Sequence, residues 1–164
     1  TAIARSIRAC CGTPALLKWP NDVLINGLKV AGILCEKGRG GLVAGFGINV
    51  NQEQFPPELP SATSILLQRG QATDRALLLR AVLEEAERLY LETSAAGPAP
   101  LIATALPLLS TLGRQVEVQL EGATMCGRAC GLEPDGALEL ELADGSRRLI
   151  RAGDVHHLGQ EPRP

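Results

Sequence analysis

Residues 17–34 read LKWPNDVLINGLKVAGIL, and this stretch decides how the rest of the chain is interpreted. Residues 23–25 and 28–36 are apolar runs separated by Asn26-Gly27, the dipeptide favoured in two-residue hairpin turns. Apolar runs also lie on either side, at residues 15–19 and 42–50, and are bounded by proline and glycine. The stretch therefore predicts the centre of an antiparallel meander.

Helical patterns surround this meander. Residues 1–12 carry apolar side chains at helical spacing, and residues 62–68 can form a short helix that ends at Gly70. Residues 75–92 predict a long helix capped by Thr73 or Asp74, and residues 101–112 predict one more. The long helix is expected to bury an apolar stripe and to expose Glu84, Glu85 and Arg88. The stripe consists of Leu77, Leu78, Val82, Leu83, Ala86, Leu89 and Tyr90.

The last third of the chain has a different pattern of apolar and polar residues. Between residues 113 and 158, apolar and polar residues alternate in short runs separated by turns that contain Asp-Gly or Pro-Asp-Gly. This pattern predicts about five short strands, which suggests a small SH3-like barrel. The expected fold class is α+β, with an antiparallel or mixed sheet and packed helices in residues 1–111 and the barrel in residues 112–164.

Composition excludes several classes of protein. The net charge is −2 and the isoelectric point is near 5.7, so no basic patch for nucleic acid is expected. The sequence contains neither an apolar run of about 18 residues nor a secretory leader, so no membrane association is expected. The five cysteines match neither a disulfide framework nor a zinc signature, and reduced thiols predict a cytoplasmic protein.

Lysine is scarce, and its placement is informative. The chain has thirteen arginines and three lysines, and two of the lysines, Lys18 and Lys29, lie in residues 17–34. A lysine offers a compact point charge that can follow one phosphate oxygen. Strand alternation predicts that Lys29 shares a face with Ala31 and that Gly32 lies on the opposite face. Pattern alone leaves two interpretations open: a solvated edge cation or a functional ammonium.

Three glycines lie inside strand patterns, at Gly32, Gly45 and Gly47. A strand glycine either weakens the strand or lets a ligand approach the backbone. Gly45-Phe46-Gly47 is not a dinucleotide fingerprint, because no third glycine opens a following helix.

Three ordered blocks, KWPND at residues 18–22, KVAGILCE at 29–36 and GFGINVN at 45–51, resemble the biotin–protein ligase family. The segments ATSIL at 62–66, LGRQV at 112–116 and AGDV at 152–155 are also similar to it. The resemblance covers essentially the whole chain. It implies a class II synthetase-like catalytic half followed by the family's C-terminal barrel. The family carries a Gly/Arg-rich loop before the first block, so the chain is expected to be part of a longer protein.

The resemblance implies a two-step reaction, in which biotin and ATP give biotinyl-5′-AMP and the biotin then passes to a lysine of a carrier protein. Lys29 is implied as the catalytic cation, with Gly32, Gly45 and Gly47 lining the biotin and adenylate site. Asn49 is implied to read adenine. Asn21 and Asp22 are implied on the nucleotide side, with Asp22 as a Mg²⁺ ligand. Two roles are left open for Trp19: direct contact with the ligand, or packing against the site.

The implied partner is the biotin carboxyl carrier subunit of acetyl-CoA carboxylase, and a homodimer is possible. A repressor role has no support, because no DNA-binding motif is present. The alternative is a non-catalytic fragment that acts as a binding module. The coding sequence before Thr1 would discriminate these hypotheses. A hydrolase built on Ser64 with His156 and His157 is disfavoured, since no G-x-S-x-G motif surrounds the serine.

Overall fold

The structure is a computed structural model that describes residues 1–159. It contains two compact units. The first comprises Thr1–Leu17 and Asn21–Tyr90, and the second comprises Lys18–Pro20 and the chain from Leu91 onward. Helices and antiparallel sheets occur together, which confirms the predicted α+β class. The domain boundary expected between residues 111 and 112 stays a prediction.

Three helices belong wholly or mostly to the first unit: α1 (Ala2–Cys11), α2 (Ile65–Arg69) and α3 (Arg75–Ala96). Helix α1 buries an apolar face that includes Ile3 and Ile7, and it ends at Gly12, whose φ of 66° suits glycine. The predicted cap of α3 is also confirmed. Asp74 Oδ1 accepts hydrogen bonds from the backbone N–H groups of Ala76 at 2.8 Å and Leu77 at 3.1 Å.

The first sheet contains four strands in the order β1 (Ala15–Lys18), β2 (Asp22–Ile25), β3 (Leu28–Gly38) and β4 (Gly41–Ile48). The predicted hairpin turn between β2 and β3 is confirmed, because both turn residues have positive φ, 51° at Asn26 and 82° at Gly27. Strands β3 and β4 form a second hairpin. Strand β4 is an edge of this sheet.

A bulge interrupts the ladder between β2 and β3. Val23 pairs with Ala31, whereas Leu24 pairs with Lys29, so Val30 is an extra residue on β3. Val30 and Ala31 are both buried, which strict alternation does not allow. The alternation predicted for Lys29 is therefore wrong. The bulge turns the Lys29 side chain to the face that carries Gly32.

Helix α3 buries less of its predicted stripe than expected. Leu78, Val82 and Leu89 are buried, while Leu77 and Leu83 are more than half exposed. The predicted exposure of Glu85 is wrong. Its side chain is 18% exposed and accepts hydrogen bonds from Arg5 of α1 at 2.5 Å and from Arg88 at 2.8 Å. The bond from Arg88, with help from Arg5, lowers the pKa of Glu85 to about 2.

The second unit contains a short helix, α4 (Ala99–Ala105), followed by a 3₁₀ turn at Leu106–Leu108. The predicted helix over residues 101–112 stops early because Pro107 lacks the N–H that an α-helix needs. Five strands follow, as predicted: β5 (Gln115–Leu120), β6 (Ala123–Leu132), β7 (Leu138–Glu141), β8 (Arg147–Ile150) and β9 (Asp154–His157).

The five strands form one sheet in the order β8-β7-β6-β5-β9. Within residues 1–159 the edge strands β8 and β9 share no ladder, so the expected barrel is an open sheet here. One apolar cluster forms the core of this unit. It contains Trp19, Val116, Val118, Ala129, Leu138, Leu140, Ile150 and Val155. No helix among residues 1–159 has both the length and the apolar character needed to span a membrane.

Candidate ligand-binding site on the first sheet

Three residues form a row across β2, β3 and β4. Asp22 pairs with Gly32, and Gly32 pairs with Gly47. Directly opposed residues of an antiparallel ladder share a face, so one carboxylate and two bare backbone positions lie side by side. Gly45 lies on the same face, because it precedes Gly47 by two residues along β4. These four residues, Asp22, Gly32, Gly45 and Gly47, are called the glycine row below.

The ammonium of Lys29 lies over the glycine row. Its Nζ is 2.5 Å from Asp22 Oδ1. A Cβ added to Gly32 would meet Lys29 Cε at 3.3 Å, Lys29 Nζ at 3.4 Å and Asp22 Oδ1 at 3.7 Å. Glycine at this position therefore leaves the space that the lysine side chain occupies. The bulge at Val30 makes this possible, because it places residues 29 and 32 on one face.

The two side chains of the ion pair differ in how deeply they are buried. The Asp22 side chain is 16% exposed, whereas the Lys29 side chain is 47% exposed. Asp22 Oδ1 is buried, and among residues 1–159 it accepts no hydrogen bond of good geometry, so the ammonium is its only close cationic partner. A buried carboxylate oxygen without such a partner costs about 1–3 kcal/mol or more. Lys29 thus neutralises Asp22 while keeping an exposed side from which further anions can be reached.

The backbone of Lys29 is held by the segment that follows β4. Its N–H donates to the Ser61 carbonyl at 2.7 Å, and its carbonyl accepts from the Thr63 N–H at 2.9 Å. Lys29 and Ala62 form an isolated parallel bridge. Sequence reasoning did not assign this role to residues 61–63. The sequence signal that could have indicated this role was the ATSIL block at residues 62–66, which lies beside a proline-rich loop.

Open space borders the other glycines of the row. A Cβ on Gly47 would meet no atom of the described chain within 4 Å, and one on Gly45 would meet only the Leu34 carbonyl oxygen at 3.8 Å. Packing among residues 1–159 does not require these glycines, and their φ angles are not left-handed. The face above them is accessible to a ligand.

The two predicted asparagines hold the borders of this site. Asn21 exchanges two hydrogen bonds with Ile33, one through its carbonyl and one through its Nδ2, both at 2.9 Å. Asn49 donates from Nδ2 to the Thr63 carbonyl at 3.1 Å, and its own N–H donates to the Val30 carbonyl at 2.8 Å. Both asparagines therefore order the strands that carry Lys29.

Trp19 lies in the core of the second unit and is not part of the glycine row. It is 6% exposed, and its indole Nε1–H donates to the Gly136 carbonyl at 2.9 Å. Its backbone N–H donates to Thr111 Oγ1 at 3.0 Å. Packing accounts for this tryptophan, and its contact with a ligand stays a prediction.

The described residues contain no preformed metal centre. Residues 1–159 contain no cluster of three or more His, Cys, Asp or Glu side chains suited to a metal, and the buried oxygen of Asp22 already faces an ammonium. The role of Asp22 as a Mg²⁺ ligand stays a prediction. Ser64 is accounted for as the N-cap of α2, because its Oγ accepts from the Leu67 N–H at 3.1 Å and donates to the Gln52 carbonyl at 2.6 Å.

Comparison with known proteins gives consistent matches. The model of the biotin/lipoate A/B protein ligase family matches residues 2–53, and the biotin protein ligase C-terminal domain matches residues 111–158. The "Bifunctional ligase/repressor BirA" of Bacillus spizizenii is 33% identical over 92% of this chain and 49% of its own length. The "Biotin--[acetyl-CoA-carboxylase] ligase" of Paracoccus denitrificans is 32% identical over 94% of this chain and 68% of its own length.

A solved structure is similar in fold. The biotin protein ligase from Aquifex aeolicus in complex with biotin and ATP superposes with a TM-score of 0.86 and 27% identity, over 94% of this chain and 66% of that one. The chain spans about half the length of several curated relatives that it matches, such as the Bacillus protein.

Proposed function

We propose a function from one premise: this chain belongs to the biotin–protein ligase family. The proposed reaction is the ATP-dependent formation of biotinyl-5′-AMP, followed by transfer of biotin to a lysine of a biotin carboxyl carrier domain. In this proposal the chain contributes the glycine row and the Lys29 ammonium. The observation that carries the proposal is this half-exposed cation, paired with the buried oxygen of a mostly buried carboxylate above an open, side-chain-free strand surface.

The first step brings two anions together. A carboxylate oxygen of biotin attacks the α-phosphorus of ATP, the new C–O–P bond forms, the bond from the α-phosphorus to the bridging oxygen breaks, and pyrophosphate leaves with that electron pair. Negative charge grows on the non-bridging oxygens, so a fixed cation lowers the barrier. The Lys29 ammonium has three donors, which allows it to stay on Asp22 and also reach carboxylate or phosphate oxygens.

Asp22 serves this step indirectly. An unpaired Asp22 carboxylate would repel an anionic substrate, and an unpaired Lys29 would move freely in solvent. Paired at 2.5 Å, the two groups form a neutral unit that holds the ammonium over Gly32. Gly32, Gly45 and Gly47 are proposed to let the biotin and the adenylate approach the strand backbone closely.

The second step needs no further cation from this chain. The neutral amine of the carrier lysine attacks the acyl carbon of the mixed anhydride, an amide forms as the nitrogen releases one proton to solvent, and AMP leaves with the electron pair of the acyl C–O bond. Asn49 is proposed to meet the adenine edge with its remaining amide N–H and its Oδ1. Mg²⁺ is proposed as a companion of the ATP phosphates. A homodimer and a cytoplasmic location also stay predictions.

The experiment compares lysine variants of the natural gene product that contains these residues. Adenylate formation is followed with α-labelled ATP and biotin, and transfer is followed with a purified carrier domain. We expect Lys29→Ala to reduce adenylate formation at least about 100-fold, the range found when one charge-stabilising group is removed. Lys37→Ala is the matched control, since Lys37 lies on the same strand and is exposed.

The outcomes separate the proposed ligase from the alternative, a non-catalytic binding module. Near-normal adenylate formation by Lys29→Ala would contradict the role given to this lysine. A wild-type protein that neither forms the adenylate nor binds biotin in calorimetry would contradict the ligase proposal as a whole.

A further inference from the structure

The backbone of Lys29 is anchored outside the β2–β3 ladder. In a hairpin with a two-residue turn, the pair beside the turn exchanges hydrogen bonds and the next pair, here Leu24 and Lys29, does not. The Lys29 N–H and carbonyl point away from β2 and bond to Ser61 and Thr63, at 2.7 and 2.9 Å. The position of the Lys29 backbone therefore depends on residues 61–63.

A side-chain network within the first unit ties residues 61–63 to the hairpin that carries Lys29. Gln68, on α2, donates from Nε2 to Thr63 Oγ1 at 2.9 Å, and its Oε1 accepts from Asn26 Nδ2 at 2.8 Å. Asn26 lies in the turn three residues before Lys29, and the Thr63 N–H bonds to the Lys29 carbonyl. The Gln68 amide thus links the two segments that approach the Lys29 backbone from either side.

This link requires the chemistry of an amide. A glutamine side chain donates and accepts at the same time, so it can bridge a donor on Asn26 and an acceptor on Thr63. Thr63 is 2% exposed, so its hydroxyl cannot readily exchange the bond from Gln68 for one from water. Because the members share bonds, removing one weakens the hold on the others.

Lys29 is therefore held at two points. Its ammonium lies 2.5 Å from Asp22 Oδ1, and its backbone bonds to residues 61–63. If that segment shifts, the backbone of Lys29 shifts with it, and the ammonium either moves over Gly32 or loses its close contact with Asp22. The Gln68 network acts on the end of the lysine that the ion pair does not hold.

We propose that Gln68 and Thr63 are positioning residues for the adenylating step, which hold residues 61–63 against the β2–β3 hairpin and so fix the backbone from which Lys29 extends. The proposal rests on the proposed function. Both residues act through Lys29 and not by contact with a substrate.

Amide hydrogen exchange tests the anchor without an activity assay. Isotope labelling of lysine nitrogen in the natural gene product gives one backbone signal per lysine, and the Lys29 signal is the one missing from Lys29→Ala. Gln68→Met removes both side-chain hydrogen bonds at similar length. We expect it to speed exchange of the Lys29 N–H roughly 5- to 30-fold, through easier local opening.

The exchange experiment has internal and matched controls. The Lys18 and Lys37 amides lie elsewhere in the first sheet or its border and should exchange as in the wild type. Gln71→Met makes the same chemical change at an exposed glutamine just after α2 and should leave Lys29 exchange unaltered. Wild-type exchange of the Lys29 N–H in Gln68→Met would overturn the proposal.

The second arm measures adenylate formation. We expect Gln68→Met to lower the rate roughly 10-fold, because a misplacement of about 1 Å at a reacting group costs up to roughly 100-fold. In the Lys29→Ala background the same substitution should cause no further loss, since the group that it positions is gone. A general structural role would lower the rate in both backgrounds, so equal losses would overturn the positioning role.

Thr63 tests the same bond from its other side, even if Gln68→Met fails to fold. Thr63→Val removes the hydroxyl at nearly constant volume, and Thr63→Ser keeps it. We expect Thr63→Val to speed Lys29 exchange and slow adenylate formation, and Thr63→Ser to resemble the wild type; equal behaviour of the two would contradict the proposal. If the wild type forms no adenylate, the proposed function and the positioning role fail together, while Lys29 exchange still decides whether the network holds this backbone.

Discussion

Gly32→Ala is the most direct test of the site geometry. The new Cβ would lie 3.3 Å from Lys29 Cε and 3.4 Å from Lys29 Nζ, which is tighter than ordinary van der Waals contact. The lysine side chain is half exposed and flexible, so it can move by a few tenths of an ångström without unfolding the sheet. The substitution therefore perturbs the position of the ammonium more than the fold.

The magnitudes decide which effect dominates. With an effective dielectric constant of about 20, moving Nζ from 2.5 Å to about 2.9 Å from Asp22 Oδ1 weakens the attraction by about 1 kcal/mol. Solvent around the exposed lysine screens much of this. Replacing a strand glycine by alanine recovers roughly 0.5–1 kcal/mol of backbone entropy. The free energy of unfolding should thus change by less than about 1 kcal/mol, whereas adenylate formation should fall roughly 10- to 100-fold.

The assay pairs thermal unfolding with the adenylation rate, and two glycines supply controls. Gly40→Ala, at the tip of the β3–β4 hairpin, adds a Cβ that meets nothing within 4 Å and should leave both properties unchanged. In Gly47→Ala the new Cβ also meets nothing within 4 Å among residues 1–159, so a loss of rate would point to the ligand rather than to packing within these residues. Wild-type adenylation by Gly32→Ala would refute the argument that this face of the sheet is the reaction site.

Three further predictions concern stability. Glu85→Gln should lower the free energy of unfolding by about 1–2 kcal/mol at pH 7 after allowance for solvent screening. Because the folded-state pKa of Glu85, about 2, lies below its usual 4.5, this difference is complete above pH 4.5 and disappears as the pH falls to 2, which urea titrations at several pH values can measure. Gly153→Ala should cost about 2–3 kcal/mol, since φ is +137° and the Cβ would lie 2.7 Å from the Gln119 carbonyl oxygen; denaturation followed by Trp19 fluorescence should show an earlier midpoint. Ser64→Ala should cost about 1–2 kcal/mol through loss of a buried N-cap, and an unchanged melting temperature would contradict that.

The turns and helix caps in the first unit could be predicted because each signal lies within a few consecutive residues. Asn26-Gly27 forms the expected turn, and Asp74 caps α3 through bonds to residues two and three positions ahead. Such signals depend on a few neighbouring residues and on no tertiary contact. The observed strands and helix starts lie close to the positions that these signals predict.

The candidate site could be predicted in its residue types but not in its geometry. The scarcity of lysine and the strand glycines drew attention to Lys29 and Gly32. Alternation nevertheless placed the two on opposite faces, because a bulge is a tertiary choice that the period-two pattern does not contain. The same limit applies to Trp19, whose partners Thr111 and Gly136 lie about a hundred residues further along the chain.

The bulge at Val30 has a consequence for comparing sequences. Without the bulge, residues on the same face of a strand recur at even spacing. A lysine three positions before a glycine would then lie on the opposite face from that glycine. Here the odd spacing from Lys29 to Gly32 is the signature of a shared face. A homologue that keeps the three-residue spacing but lacks the bulge would keep both letters and reverse the direction of its lysine, so an aligned column of identical lysines indicates a shared face only where the bulge is also present.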